Sequence, residues 1–86
     1  MAVLAVSVVS ADQELWSGEA TQLIARTTEG EIGILPGHEP LLAILAKGEV
    51  RVTTADGQTI TALADNGFLS VENNTVTVVA STAELV

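Results

Sequence analysis

Cysteine is absent from this 86-residue chain, and Trp16 and Phe68 are its only aromatic residues. The first absence excludes disulfide staples and thiolate metal sites and fits a reducing compartment. The second leaves Val, Leu, Ile and Ala to build the core. Cations are equally scarce: Arg26, Lys47 and Arg51 stand against eleven acidic residues, for a formal net charge of −8. Cations so few and so scattered cannot create the field that draws a phosphate backbone through counterion release, which argues against nucleic acid as a partner. Binding to an anionic lipid surface is disfavoured for the same reason. The natural complement is a partner carrying basic groups.

Long apolar runs are missing too. The N-terminal stretch MAVLAVSVV resembles a secretory signal in composition, but no cation precedes Arg26. It is also far shorter than the roughly 20 residues of a membrane span, so it reads as a buried strand, with no lipid insertion and a cytoplasmic location as the default. At this length residues 1–86 are expected to form one domain that buries about 60 to 70% of its unfolded surface.

What is present is a succession of short β-branched segments separated by turn residues. Residues 2–10, 22–26, 50–54, 58–64, 68–72 and 75–80 each read as a strand. Asp56-Gly57 and Asn73-Asn74 suit two-residue hairpins that need φ > 0, and Asp65-Asn66-Gly67 suits a slightly longer turn. Residues 39–46 fit either a short helix with Pro40 in its first turn or a buried strand; the run ends at Lys47-Gly48 after about two turns, which favours an extended chain. The expectation is an all-β antiparallel sandwich or flattened barrel.

The backbone chemistry is concentrated in GEIGILPGHEP, residues 30–40, which hold both prolines, the single histidine and three of the seven glycines. Gly30, Gly33 and Gly37 permit positive φ, while Pro36 and Pro40 fix φ and remove donors, so this is a shaped loop. His38 beside Glu39 is the one pair that suggests acid/base work, but adjacent residues on an extended chain face opposite ways and no nucleophile accompanies them. An exposed or interface histidine is the simpler reading. With one histidine and no cysteine, only scattered carboxylates remain for a metal, and the glycine spacing matches no phosphate-binding loop; no cofactor is expected. Lys47 before Gly48 invites a second reading as the modified lysine of a small β carrier domain, although its neighbours lack the acidic or methionine residue such sites show. Trp16 and Phe68 are expected to be packing anchors.

The blocks ELWSGE (residues 14–19) and TEGEIGILPGHEPLL (residues 28–42) resemble the epsilon subunit family of bacterial F-type ATP synthases. GEVRV, GFLSV and VTVVASTAE, at residues 48–52, 67–71 and 76–84, extend the resemblance over essentially the whole chain, and Arg26-Thr27-Thr28 has an actinobacterial look. The resemblance implies a ten-stranded antiparallel β-sandwich at the foot of the rotating central stalk. It implies a non-catalytic subunit that is monomeric when isolated, grips the gamma subunit and the polar loops of the c-ring, and lies at the cytoplasmic face of the membrane. Residues 30–40 then become the docking segment, with Glu31 and His38 near the c-ring loops. Gly30, Gly33, Pro36, Gly37 and Pro40 give the segment its shape. Family members commonly carry Gly-Gly where Asn66-Gly67 stands here, a change that asparagine's tolerance of the left-handed region accommodates. They also carry a C-terminal helical hairpin with inhibitory and, in some members, ATP-binding functions; this sequence stops at Val86, and the expectation is either an isolated N-terminal domain or an unusually short member.

Overall fold

The computed structural model describes residues 2–11 and 13–86; Met1, part of the apolar N-terminal run, lies outside them. They form six strands: β1 (Leu4–Ser10), β2 (Gln13–Thr27), β3 (Gly30–Ile34), β4 (Leu41–Thr54), β5 (Thr59–Glu72) and β6 (Thr75–Leu85). The sheet runs β1-β6-β5-β4-β2-β3, and β1 also pairs with β2, which closes it into a barrel. No helix among the described residues is long and apolar enough to cross a membrane.

Two details of the expected sandwich are corrected. The strands number six rather than ten, because four of them are long and cross from one layer to the other without a break. The sheet is also mixed, since β1 lies parallel to β6 while every other pair is antiparallel. Topology demands this. The closed ring β1-β2-β4-β5-β6 contains an odd number of strands, and directions that alternate around an odd ring must meet once in parallel.

Each long strand changes layer through a one-residue slip in its inward face. In β4 the inward residues are Leu41, Ala43 and Leu45, then Val50, Val52 and Thr54. In β5 they pass from Ala62 and Ala64 to Leu69 and Val71. Side chains in a strand alternate with period two, so only a local kink can make such a switch. Two stretches expected to end strands supply it: Lys47-Gly48 and Asp65-Asn66-Gly67 lie inside β4 and β5. Asn66 has φ 60°, the left-handed conformation that asparagine tolerates, and its side-chain amide donates to Ser81 Oγ at 3.1 Å. In β2 a register shift between Ala20 and Gln22 has the same effect.

The expected hairpins at Asp56-Gly57 and Asn73-Asn74 are present. Asn73 and Asn74 have φ 50° and 60°, as a two-residue turn of the I′ kind requires, and Gly57 has φ 91°. Inside the barrel lie Leu4, Val6, Val8, Leu23, Ile34, Val50, Val52, Leu69, Val71, Val76 and Val78, with alanines filling the narrower places. Trp16 packs against this core, and its ring covers Gly18, where a Cβ would meet it at 2.9 Å. Phe68 is not a core anchor: it is 39% exposed on the outer face.

Gly67 has no room for a side chain, because an added Cβ would collide with the Val79 carbonyl and stand 2.6 Å from Ala80 Cα. Gly67→Ala must therefore push β6 off β5, and we expect it to cost about 2–3 kcal/mol. That corresponds to a fall of roughly 10–20 °C in the thermal midpoint by circular dichroism. At Gly33 nothing lies within 4 Å of the added atom, and Gly33→Ala should leave the midpoint nearly unchanged.

The β4–β5 turn yields a pH prediction. The Thr54 hydroxyl accepts from Gln58 N–H at 3.0 Å and donates to the exposed Asp56 carboxylate, which holds the Asp56 carboxyl below its ordinary value of 3.8. A group lowered by folding contributes stability above its ordinary pKa and loses it as pH falls through the folded one. Asp56→Asn should accordingly flatten the stability curve below about pH 4, measured by urea unfolding across pH, and leave the slope near neutrality unchanged.

Candidate docking surface

The shaped segment begins at the β2–β3 turn. Thr27 is buried, its hydroxyl donates to the Gly30 carbonyl at 2.7 Å, and it accepts from Glu29 N–H at 3.2 Å. Gly30, with φ 115°, sends the chain back along β2. β3 pairs only with β2, so it is an edge strand; its shortness and the charge of Glu31 blunt that edge against unwanted pairing. Gly33 needs no positive φ, unlike Gly30 and Gly37, and lies opposite Ile24.

Beyond β3 the chain makes a tight turn at Leu35-Pro36-Gly37-His38, closed by His38 N–H donating to the Leu35 carbonyl at 3.1 Å. Pro36 at the second position and Gly37 at the third, with φ 88°, match the requirements of a type II turn. His38 is half-buried, and its Nδ1 lies 2.7 Å from the Glu39 carbonyl. A carbonyl can only accept, so Nδ1 is the donor in this contact. Pro40, which has no donor to place, precedes the first residue of β4.

Glu31 and His38 have different partners: Glu31 pairs with Arg51, and His38 contacts its neighbour's carbonyl. Glu31 stands on β3 near the turn that opens it, while His38 closes the turn beyond that strand's far end. The carboxylate is paired with a cation that sequence reasoning did not connect with it. Arg26 is its cross-strand partner, and Arg51 Nη2 lies 3.6 Å from Glu31 Oε2 while its Nε lies 4.0 Å from Glu49 Oε1. Two of the three cations therefore neighbour Glu31, one by strand register and one by an ion pair. Only strand pairing brings residues 26, 31 and 51 together.

A second surface was also missed. Leu42 and Ile44 point outward from β4, 70% and 57% exposed. Ile44 pairs with Phe68, Phe68 with Val79, and Val79 with Val9, so an apolar row crosses four strands directly downstream of the shaped loop. The signal was legible in Leu41-Leu42-Ala43-Ile44-Leu45, because a strand apolar on both faces must expose one of them when only the other meets the core. Lys47 lies within β4 rather than in a turn. It borders a shallow cleft of about 460 Å³ with Leu63, Asp65, Thr82 and Glu84, and the carrier reading, which needs the lysine at a projecting tip, finds no support there.

Residues 3–86 match the family described as the ATP synthase delta/epsilon chain, beta-sandwich domain. The chain belongs to this family. It is 50% identical over 84 residues to the ATP synthase epsilon chain of Streptomyces coelicolor, covering 98% of this chain and 68% of that one. The epsilon chain of Rhodococcus opacus is 52% identical over 86 residues, and 70% of it is covered. That of Micrococcus luteus is 53% identical over 85 residues, and 93% of it is covered, so that relative is little longer than the match. Among solved structures, a chain of the Euglena gracilis mitochondrial ATP synthase OSCP/F1/c-ring assembly superposes with TM-score 0.91 at 26% identity over 99% of this chain. This chain spans about half of its length, 54%. A chain of the Tetrahymena thermophila mitochondrial ATP synthase central stalk and c-ring shares the fold, with TM-score 0.77 at 16% identity over 94% of this chain and 65% of that one.

The Glu31–Arg51 pair is solvent-exposed on both sides, which limits its contribution to about 0–1 kcal/mol. Glu31→Gln should lower the urea midpoint by no more than this allows, and the difference should shrink further in 1 M salt, where the screening length is about 3 Å.

Proposed function

We propose that this chain is a non-catalytic component of the rotor of an F-type ATP synthase, joining the gamma subunit to the polar loops of the c-ring and so coupling proton translocation to ATP synthesis. In this reading residues 1–86 act as one sandwich domain at the cytoplasmic face of the bacterial membrane. The domain is monomeric when isolated, touches no nucleic acid and needs no cofactor. The observation that carries the reading is the coexistence, in a chain half-identical to epsilon chains, of an uncovered apolar row and a shaped loop beside it. The two surfaces suit different partners. The row formed by Leu42, Ile44 and Phe68 offers apolar area to the gamma subunit, where burial supplies affinity. The segment from Gly30 to Pro40 offers Glu31, His38 and a closely approachable backbone to polar loops.

Electrostatics enters at two ranges. A domain of net charge −8 approaching basic loops is steered at long range. At contact, Glu31 exchanges Arg51 for a partner's cation, which favours specificity and coupling more than overall affinity.

The gamma half of the proposal is tested by Ile44→Asp and Phe68→Asp. Both side chains point outward, so melting should change little, while binding to purified gamma subunit, followed by calorimetry, should weaken at least about tenfold. Unaltered binding by both variants would remove the apolar row from the interface. For the c-ring half, Glu31→Lys should reduce proton-driven ATP synthesis in reconstituted vesicles, and His38→Ala should reduce it less. If Glu31→Lys couples as well as wild type at low ionic strength, where screening is weakest, the role assigned to Glu31 is wrong.

A further inference from the structure

Residues 35–40 leave the sheet after β3 and rejoin it at β4, and within them the backbone bond from His38 to Leu35 fixes only the turn itself. A turn closed on itself can still swing as a unit. Among the described residues, one hydrogen bond ties this loop to a distant part of the chain: Gly37 N–H donates to the side-chain oxygen of Asn74 at 2.7 Å. Asn74 is itself firmly placed. It sits in the β5–β6 hairpin turn with φ 60°, and its main-chain carbonyl accepts from Ala5 N–H at 2.8 Å. One residue thus joins the β5–β6 turn, the start of β1 and the tip of the loop.

We infer that Asn74 is the positioning residue of the docking loop: its side-chain oxygen holds the Gly37 amide and so sets the direction in which His38 and its neighbours face. The inference rests on the docking reading proposed above. The turn needs a residue that tolerates positive φ, and glycine would satisfy that need as well as asparagine. Only asparagine or aspartate adds a short acceptor at the right reach, and an exposed amide that water could satisfy has no need of a protein acceptor unless its direction matters.

The two roles separate by substitution. Asn74→Gly keeps the backbone conformation and removes the acceptor, whereas Asn74→Asp keeps an acceptor. Amide exchange at Gly37, followed by NMR, should accelerate roughly 2- to 10-fold in Asn74→Gly, with the thermal midpoint close to wild type, and should return toward wild type in Asn74→Asp. Binding to purified c-ring in detergent should weaken by a similar factor in Asn74→Gly and recover in Asn74→Asp. Unchanged Gly37 exchange in Asn74→Gly would overturn the inference. So would accelerated exchange with undiminished c-ring binding, since the loop would then dock without being held. Failure of the wild-type chain to bind the c-ring at all would instead overturn the docking reading itself.

Discussion

The structure depends on one requirement: an aliphatic core with almost no aromatic volume must be enclosed from all sides by a single six-stranded sheet. The sheet meets it by bending. In β2, β4, β5 and β6 the inward face slips by one residue, and each strand serves both sides of the barrel. The slips in β4, β5 and β6 are adjacent, at Ala46–Lys47, Asp65–Asn66 and Ser81–Thr82, so a single crease runs across three strands. Gly67 is the tightest point beside this crease, where backbone meets backbone. The register is unchanged on either side of it, which keeps ladder hydrogen bonding available to both halves.

Closure shapes the surface as well as the core. Because the ring contains an odd number of strands, β1 must lie parallel to β6, and the parallel pair aligns Val9 with Val79. That register extends the outward row from Ile44 and Phe68 across to β1. β2 is longer than the β1 it pairs with, and its surplus edge is occupied by β3. The segment from Gly30 to Pro40 is therefore an appendage to a closed barrel, supported on one side by β2 and steadied at its far end by Asn74.

The charge distribution follows the same division. The acidic surplus is spread over the outer surface, but the cations converge: Arg26 and Arg51 flank Glu31, and Arg26 also lies over Gly48, whose missing side chain leaves space for it. Around Glu31 the local field is consequently more balanced than the net charge suggests. An acid already engaged with arginine is orientated before a partner arrives, and its contribution there is selective rather than adhesive.

Much was determined by the sequence itself. Period-two alternation and β-branched residues established an all-β chain, Asn73-Asn74 and Asp56-Gly57 established two turns, and the blocks around residues 28–42 established the family. These signals are local, written in residues that are neighbours along the chain. The tertiary structure decided whether Lys47-Gly48 and Asp65-Asn66-Gly67 end strands or crease them, because turn-forming residues, such as Asn66 in its left-handed conformation, serve a turn or a kink equally well and only the strands paired on either side choose. It decided which face of Leu41–Leu45 and of Phe68 meets water, since both faces of that strand are apolar. It also decided that Glu31 has arginine neighbours and that Gly37 is held by Asn74, thirty-seven residues away in sequence. Such contacts depend on strand order and register, which closure of the barrel sets and no local stretch of sequence contains.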